Sequence, residues 1–329
     1  MSPLILSVFL CIKLLCICLY IYLFLTVMDD VSVKLYKYMC DEVVGCEKVV
    51  NCRRQFFNVF DDVHNNCWNN NWHVMSGGSK AEGLNLPGSD FDVMLINKSI
   101  HVYERDDVLS NYHELRGKLN LVLDFDNAMP GFTLLHIYDV REWRGIELIE
   151  RNVDGTFLSN QSWKRVNNIN NYIITGPSFS SELGTIDRVC CLKYTKWPSR
   201  AREWIDRPRF CGWPPEPLIN NIVHGGVLLV PIGSKSDSQQ DNPLEWRISF
   251  SVQEKMLIHS WTHSQIVCYA LLKLLLKEVI KKNQIVDNIF CSYFLKTAIF
   301  WLSEEIEQNV WTPQNLLNCF MSCLKRLIY

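Results

Sequence analysis

The 329-residue sequence lacks the features that would most quickly assign it to a class. It has no excess of either charge, since 33 Lys and Arg residues oppose 35 Asp and Glu residues and the net charge is −2. A nucleic-acid-binding surface would therefore have to be a local basic face. The sequence has no internal repeat and no sign of extended disorder, and 48% of its residues are hydrophobic. These properties exclude a solenoid and a disordered chain and predict a folded globular protein.

Cysteine arrays typical of metal sites are also missing. The fourteen cysteines are scattered singly or form the adjacent pair Cys190-Cys191, without a double Cys-x-x-Cys array. Disulfide frameworks are typical of small secreted domains, and this chain is too long to need one. We therefore expect reduced thiols in a cytoplasmic protein, many of them buried as small apolar side chains.

One hydrophobic run occupies the N-terminus, where residues 4–27 are 24 mostly apolar residues. This length suffices to cross a bilayer even with Lys13 inside it. A signal peptide is not expected, because Lys13 lies in the middle of the run and no small-residue cleavage site follows. Three interpretations stay open: a membrane anchor, a hydrophobic helix without a membrane role, or an extension from a misassigned start, since Met28 opens a typical globular N-terminus. The expected location is cytoplasmic, with or without this anchor.

The rest of the chain changes its pattern twice. Apolar residues recur at helical spacing from Asp29 to about His64, short strand-like stretches with glycine turns follow, and helical spacing returns beyond Trp197. A polar stretch at 233–243 has linker composition and is expected between two lobes. We predict an α+β fold with a mixed β-sheet core, a long supporting helix and a helical C-terminal lobe. The expected divisions are a hydrophobic segment at 1–27, a core at 28–196 and a helical lobe at 197–329.

The stretch MSGGSKAEGLNLPGSDFDVML, residues 75–95, carries the strongest chemical signal. Asp90 and Asp92 alternate on a predicted strand, so both side chains project from the same face. Two carboxylates side by side repel each other unless a cation lies between them. The preceding Gly77-Gly78-Ser79 turn offers close backbone approach, exposed N–H groups and a hydroxyl, which suit a triphosphate. Together these elements predict a metal and phosphate site, whereas the aspartates alone would fit a solvated hairpin edge.

A two-metal phosphoryl-transfer site usually contains a third carboxylate from a neighbouring strand. Spacing does not choose among the candidates, which are Asp124, Asp126, Asp139 and Asp187. Asp124 and Asp126 form a second Asp-x-Asp pair. No glycine turn precedes this pair, so we interpret it as a strand end.

Four segments occur in the order found in a known enzyme family: GGSKAEGLNLPGSDFDVML, DRVCCLKYTKWP, EWRISFSVQEKML and SYFLKTAIFW. Over about residues 29–329 the chain resembles the cyclic GMP–AMP synthase-like receptors of the Mab-twenty-one nucleotidyltransferase family. The resemblance implies a bilobed nucleotidyltransferase with its core at 28–196, which uses Mg²⁺ or Mn²⁺ to join ATP and GTP into a cyclic dinucleotide as an innate immune sensor. Its oligomeric state is not implied.

The resemblance also implies roles for individual residues. Asp90, Asp92 and Asp187 match the catalytic metal ligands, and Gly78 and Ser79 match the nucleotide-binding turn. The other matched nucleotide-binding positions are Arg247, Ser249, Glu254, Lys273, Ser292 and Tyr293. Lys277, one turn from Lys273, competes for the same phosphate contact.

The sequence departs from the mammalian DNA sensor at its zinc site. His259, His263 and Cys268 occur where that enzyme has a histidine and a cysteine cluster, so zinc is not expected here. DNA sensing in the mammalian manner is therefore not expected either. The expected activator is double-stranded RNA, bound on a basic face near Lys34, Lys37, Arg53 and Arg54.

Two alternatives to an enzymatic function stay open. Part of this family has lost catalysis and serves as an interaction or developmental scaffold, although such members commonly lack one or more of the carboxylates. A membrane-tethered adaptor is the second interpretation, with residues 4–27 as its main element. The chain ends at LKRLIY, where the family usually continues, so a truncated helical lobe is also expected.

Overall fold

Two helices separated by a glycine open the described chain. The computed structural model describes residues 28–67, 71–110, 119–139, 147–168, 172–235, 240–282 and 291–328. Helix α1 spans Met28–Tyr38 and continues as a π-helical turn, Met39–Val43, before α2 spans Glu47–Cys67. Gly45 adopts a φ of +92°, and a Cβ there would lie 2.7 Å from the Val49 side chain. The sequence shows helical spacing from Asp29 to His64 without a gap, but the helix itself is broken at Gly45, because a left-handed residue cannot continue an α-helix.

Twelve strands form a mixed sheet among the described residues. Eight of them follow the order β1-β2-β10-β11-β12-β5-β4-β3, and β10 also pairs with β3. The strands are β1 Trp72–Gly77, β2 Phe91–Asn97, β3 Ile100–Tyr103, β4 Leu119–Asp124, β5 Phe132–Ile137, β6 Ile149–Asn152, β7 Gly155–Leu158, β8 Ile173–Thr175, β9 Ser178–Ser180, β10 Ile186–Tyr194, β11 Val227–Val230 and β12 Glu245–Ser249.

The remaining helices lie mostly in the second half of the chain. They are α3 Gly78–Ala81, α4 Arg105–Ser110, α5 Asn160–Asn167, α6 Arg202–Asp206, α7 Glu216–His224, α8 Ser251–His259, α9 His263–Leu275, α10 Ser292–Glu305 and α11 Leu316–Ile328. A π-helical turn, Leu276–Ile280, extends α9, and 3-10 turns cover Ser199–Ala201 and Gln308–Val310. A mixed sheet with a helical C-terminal lobe confirms the predicted α+β fold.

Strand register brings the glycine turn to the predicted aspartates. β1 runs antiparallel to β2 and places Gly77 opposite Asp92. β2 runs parallel to β10 and places Asp92 opposite Asp187. Three neighbouring strands thus contribute one residue each to the same level of the sheet, which is the physical basis of the site described below.

The sheet extends past the predicted core boundary at residue 196. Strands β11 and β12 lie beyond it and pair with β10 and β5. Both are short. β11 is completely buried and shows no alternation, whereas β12, with the sequence EWRIS, alternates polar and apolar residues and our prediction missed it. The polar stretch 233–243 connects β11 to β12 within the sheet. Our prediction that it links two lobes is therefore wrong.

The two halves of the broken helix pack against different parts of the protein. Helix α1 contributes Val31, Leu35 and Tyr36 to the apolar core of the helical lobe, together with α9, α10 and α11. Helix α2 packs against the sheet, where the rings of Phe57 and Phe60 lie 5.2 and 5.6 Å from that of Phe91. The glycine break thus lets one supporting segment cover both cores.

None of the helices in the described ranges is both long and apolar enough to cross a membrane. The hydrophobic segment at residues 4–27, for which three interpretations stay open, lies outside the described residues.

Candidate metal and nucleotide site

Three carboxylates converge at one edge of the sheet. Asp90 directly precedes β2, Asp92 is the second residue of β2, and Asp187 lies on β10. Each offers an oxygen within 4.8 Å of the others, and all three side chains are half-buried. Of the four candidates for the third carboxylate, the structure brings Asp187 to the pair, because parallel pairing of β2 and β10 sets Asp187 beside Asp92.

The glycine turn packs directly against one of these carboxylates. Gly78 has a φ of +64°, and a Cβ on it would overlap Oδ2 of Asp92 and lie 2.7 Å from Cγ. Only glycine therefore fits this position without displacing Asp92. Ser79 follows in the short helix α3, and its hydroxyl lies 3.5 Å from that of Ser89. The turn thus approaches the acids closely through bare backbone.

Buried side chains hold the start of the turn. Asp61 on α2 accepts hydrogen bonds from the backbone N–H of Ser76 at 2.9 Å and from its hydroxyl at 2.6 Å. Lys255 on α8 donates to the Ser76 carbonyl at 3.0 Å, and its Nζ lies 3.6 Å from Asp61. Ser76 is fully buried, so these charge-assisted bonds fix where β1 ends and the glycines begin.

Arg54 and His259 hold the end of the turn. The guanidinium group of Arg54 donates from Nε to the Glu82 carbonyl at 2.9 Å and from one terminal nitrogen to the Ile258 carbonyl at 3.1 Å. Nε2 of His259 lies 3.0 Å from the carbonyl oxygen of Ala81. The turn is therefore bound to α2 and to the C-terminal end of α8 at the same time.

Charge accumulates around Asp92. Burial, together with the nearby Asp90 and Asp187 carboxylates, raises the pKa of the Asp92 carboxyl to about 6. Lys273 on α9 is the cation that partly offsets this effect. A carboxylate cluster whose acidity is weakened in this way carries a free-energy penalty that a bound divalent cation would relieve.

Two lysines of α9 and its π-helical extension face this region. Burial lowers the pKa of Lys273, while Glu82, Asp90 and Asp92 favour its charged form. Lys277 donates instead to the Pro87 carbonyl at 2.8 Å, in the loop that joins the turn to the aspartates. Of the two competing candidates, Lys273 is the one that electrostatics couples to the carboxylates.

Lys296 joins the two sides of the site. Its ammonium lies 2.7 Å from the Glu82 carboxylate, behind the glycine turn, and 3.1 Å from that of Glu254 on α8. All three side chains are largely buried, and these carboxylates, with Tyr269, outweigh burial and raise the pKa of Lys296. Sequence reasoning missed Lys296 and Glu82. The position of Lys296 three residues after Tyr293, one helical turn along α10, is the signal that could have found it.

The predicted base-contacting residues lie on β12 and at the start of α10, on the Glu254 side of Lys296. Tyr293, 55% exposed, and Ser292 open α10. Arg247 on β12 is exposed and interacts electrostatically with Tyr293 and Glu254. Ser249 ends β12, and its hydroxyl accepts from the Ser251 N–H at 3.4 Å. A cavity of about 300 Å³ adjoins this group and is lined by Tyr293, Glu254, Thr297, Trp197, Trp204, Trp213, Phe250, Phe300 and Trp301.

The other acidic candidates lie in different surroundings. The Asp124 carboxylate accepts from the Asn127 side chain at 2.9 Å and from the backbone N–H of Asp126 at 3.1 Å, and it lies 3.0 Å from Nε2 of His136. Asp126 is exposed and pairs with Arg200. Asp139 is described but does not belong to the carboxylate group. The Asp124 and Asp126 pair stands at the end of β4, as its sequence context predicted.

The residues considered for zinc point to separate partners. His259 lies against Ala81, as described above, and burial lowers its pKa to about 4. Nε2 of His263 lies 3.5 Å from Sγ of Cys40. The thiol of Cys268 lies 3.9 Å from that of Cys323. Within the described ranges, these three side chains do not form a metal-binding group.

The four predicted nucleic-acid contacts do not share a surface role. Lys34, paired with Asp30, and Lys37 are exposed on α1. Arg53 donates to the Gly83 carbonyl at 3.3 Å, and Arg54 is buried. The two arginines therefore bind the loop after the glycine turn. Of the four residues, only Lys34 and Lys37 are exposed, as a contact to phosphate would require.

The donor set at the carboxylates fits a hard divalent cation. Mg²⁺ and Mn²⁺ prefer oxygen ligands, and three carboxylates lie within reach of one another beside a glycine that packs against Asp92. Asp90, Asp92 and Asp187 are the residues that would hold the ion.

Two family models match the second half of the chain. The Mab-21 protein nucleotidyltransferase domain matches residues 170–260, and the Mab-21 protein HhH/H2TH-like domain matches residues 264–329. The chain is also similar to cyclic GMP-AMP synthase of Mus musculus, with 30% identity over 137 residues. That match covers 38% of this chain and 26% of the mouse protein. Asp187 lies inside the nucleotidyltransferase match, whereas Asp90 and Asp92 precede it.

Proposed function

Since the chain belongs to the Mab-21/cyclic GMP–AMP synthase family of nucleotidyltransferases, we propose that it joins ATP-type and GTP-type nucleotides into a cyclic dinucleotide. The observation that carries this proposal is the carboxylate group itself. Asp90, Asp92 and Asp187 offer oxygens within 4.8 Å of one another, and Asp92 packs against Gly78, which has no space for a side chain. A catalytically inactive scaffold would not need to maintain this repulsive arrangement.

The glycine turn binds the donor triphosphate in this proposal. Its backbone N–H groups and the Ser79 hydroxyl donate to phosphate oxygens, and Gly78 allows them to approach beside Asp92. Lys273 on α9 supplies a positive charge near Asp90 and Asp92. A bound Mg²⁺ or Mn²⁺ supplies charge neutralisation and Lewis acidity at the phosphates.

The carboxylates also position the acceptor nucleotide. A ribose hydroxyl of the acceptor donates its hydrogen bond to a carboxylate of this group, which takes the proton as the hydroxyl oxygen attacks the α-phosphate in line. The bond from the α-phosphorus to the bridging oxygen breaks, and pyrophosphate leaves. A second round, with the roles of the two nucleotides exchanged, closes the ring and releases a second pyrophosphate.

The acceptor base would lie near the start of α10. Tyr293 presents an exposed ring for stacking, and Arg247 lies close enough to interact with it electrostatically. Glu254, held by Lys296, offers hydrogen-bond acceptors to the sugar or the base. Ser249 and Ser292 add hydroxyls at the same end of the cleft.

Double-stranded RNA is the proposed activator. Lys34 and Lys37 on α1 are the exposed members of the predicted basic set, so the contact is expected there and should weaken as salt rises. The proposed RNA activator is independent of the proposed reaction. A chain that does not bind RNA would therefore not contradict the metal site.

The decisive experiment is incubation of the full chain with ATP, GTP and Mg²⁺ or Mn²⁺ in the presence of double-stranded RNA, double-stranded DNA or no nucleic acid. Mass spectrometry identifies the products. We expect a cyclic dinucleotide that requires a divalent cation and double-stranded RNA.

An Asp90→Asn/Asp92→Asn double variant is the matched control and should form no product. If the wild-type chain neither forms product nor binds nucleotide in a metal-dependent manner, the enzyme proposal is wrong and the scaffold interpretation stands. Equal product from the double variant would show that the reaction occurs elsewhere.

A further inference from the structure

An exposed apolar stripe runs along the outward face of α2. Phe56 is 64% exposed, Val59 59%, Val63 51% and Val49 39%, and Cys52 is also exposed. Single exposed apolar residues are ordinary on a protein surface, whereas a contiguous row of them marks an interaction site. The row extends over most of a helix of 21 residues.

The stripe is distinct from the face with which α2 serves its own fold. Val50, Arg54 and Asp61 are buried on the inward face, and Phe57 and Phe60 contact Phe91 of the sheet. The helix is therefore already anchored without its outward residues. Packing among the described residues of one chain does not account for the stripe.

The charges on this face do not suit a nucleic acid. Lys48 is the one basic residue among the exposed residues of α2, all of which are described, and the acidic Glu47 and Asp62 oppose it. Nucleic-acid affinity depends on several Lys or Arg contacts to phosphates. The outward face of α2 instead offers an apolar row with amide flanks at Asn51 and Gln55.

The spacing of the stripe is that of a helix-pairing seam. Val49, Cys52, Phe56, Val59 and Val63 follow each other at alternating steps of three and four residues, which is the a and d pattern of a heptad repeat. We propose that a second copy of this chain covers the stripe, with the two α2 helices packed antiparallel about a two-fold axis.

Charge complementarity selects the antiparallel arrangement. Lys48 and Asp62 lie two heptads apart on the same flank of the stripe, and neither has an ion-pair partner among the described residues. In an antiparallel pair, equivalent flanks face each other, so Lys48 of one copy meets Asp62 of the other twice. The same register sets Val49 against Val59 and Cys52 against Phe56. In a parallel pair each g position faces an e position of the other copy, so Lys48 would meet Arg53 and Asp62 would meet the uncharged Cys67.

One helix pair buries less surface than a standard stable interface. We therefore expect reversible self-association that depends on protein concentration. This inference does not depend on the proposed enzymatic function, because its evidence is confined to α2 and its readout is the oligomeric state.

The test is sedimentation-velocity ultracentrifugation of the full chain over a range of concentrations, in one detergent for all variants. Wild type should show a monomer–dimer equilibrium. Val59→Glu should weaken dimerisation about tenfold or more, since each dimer loses two buried valines and gains two buried charges. Val153→Glu places the same change at a fully exposed residue outside the stripe and should leave the equilibrium unchanged.

A charge exchange tests the register and the occupant. Lys48→Glu and Asp62→Lys should each weaken the dimer about threefold, and the double variant should restore it. A wild-type chain that stays monomeric would overturn the proposal, as would a dimer unaffected by Val59→Glu. Failure of the double variant to restore dimerisation would also overturn it and assign the stripe to another occupant, such as residues 4–27 or a different protein.

Discussion

Gly78 and Asp92 occupy adjoining space so closely that the glycine cannot carry a side chain. A Cβ at Gly78 would overlap the Asp92 carboxylate, and the glycine has a φ of +64°. The turn that approaches phosphate and the carboxylate that holds the cation are thus parts of one packing unit. A substitution at either residue acts on both.

Gly78→Ala should therefore abolish Mn²⁺-dependent nucleotide binding, because the added methyl group displaces the Asp92 carboxylate. Gly184→Ala is the matched control, since Gly184 has a φ of +61° but nothing within 4 Å of the added atom. The control should lose about 1 kcal/mol of unfolding free energy from backbone strain and keep nucleotide binding. Isothermal titration with a nonhydrolysable nucleotide measures nucleotide binding by both variants. Equal binding by the two variants would contradict the contact.

Asp187→Asn should remove the response of the chain to divalent cations. Mn²⁺ stabilises the folded state through binding, so it should raise the melting temperature of wild type and raise that of the variant much less. Asp126→Asn, which changes an exposed aspartate paired with Arg200, should respond as wild type does. Differential scanning fluorimetry across a Mn²⁺ titration checks this. A full response from Asp187→Asn would exclude Asp187 as a ligand.

The metal-free chain should show a pH-dependent penalty at Asp92. The folded pKa of about 6 exceeds the ordinary 3.8, so folding favours the protonated carboxyl. The penalty is complete above about pH 6 and disappears as the pH falls toward the unfolded pKa. Asp92→Asn should therefore stabilise the chain by about 1–2 kcal/mol near pH 7.5 and by less near pH 5. Chemical denaturation in EDTA at the two pH values measures the difference. A stabilisation that grows toward low pH would show that the pKa is not raised.

Lys296→Met should destabilise the fold strongly, because it leaves the buried carboxylates of Glu82 and Glu254 without their cation. The expected loss is about 3–5 kcal/mol. Lys282→Met is the matched control, since Lys282 pairs with Glu278 at 3.2 Å on the exposed surface. That variant should change stability by less than about 1 kcal/mol. Urea denaturation gives both values, and similar losses would mean that the Lys296 pairs are effectively solvated.

Arg54 and Lys37 should separate stability from nucleic-acid binding. Arg54→Met removes the donors to the Glu82 and Ile258 carbonyls, so it should lower the unfolding free energy by about 2–3 kcal/mol. Lys37→Met changes an exposed side chain and should leave stability within about 0.5 kcal/mol while weakening RNA binding. Thermal unfolding and fluorescence anisotropy with a labelled RNA duplex measure the two effects. If only Arg54→Met weakened binding by folded protein, the contact surface would lie at α2 rather than α1.

Local patterns of polar and apolar residues predicted much of the fold. The alternation around Asp90 and Asp92 predicted β2, and the helical spacing beyond Trp197 predicted most of the C-terminal lobe. Our prediction missed β11 because a short strand buried on both faces carries no alternation, and it missed β12 although EWRIS alternates polar and apolar residues. It also missed the break at Gly45, because helical spacing resumes beyond it and only the left-handed φ ends the helix.

The sequence by itself determined the chemistry that the site offers: a glycine turn, two carboxylates on one strand face and a set of further acids to choose from. These features are local, because strand geometry and the absence of a Cβ act over a few residues. Residue spacing left the third carboxylate open, and the family resemblance implied Asp187. The tertiary structure brings Asp187 to the pair through the parallel pairing of β2 with β10, and it turns Arg54 inward onto the glycine loop. Both decisions depend on contacts between residues that are distant along the chain, and residue spacing contains no measure of such contacts.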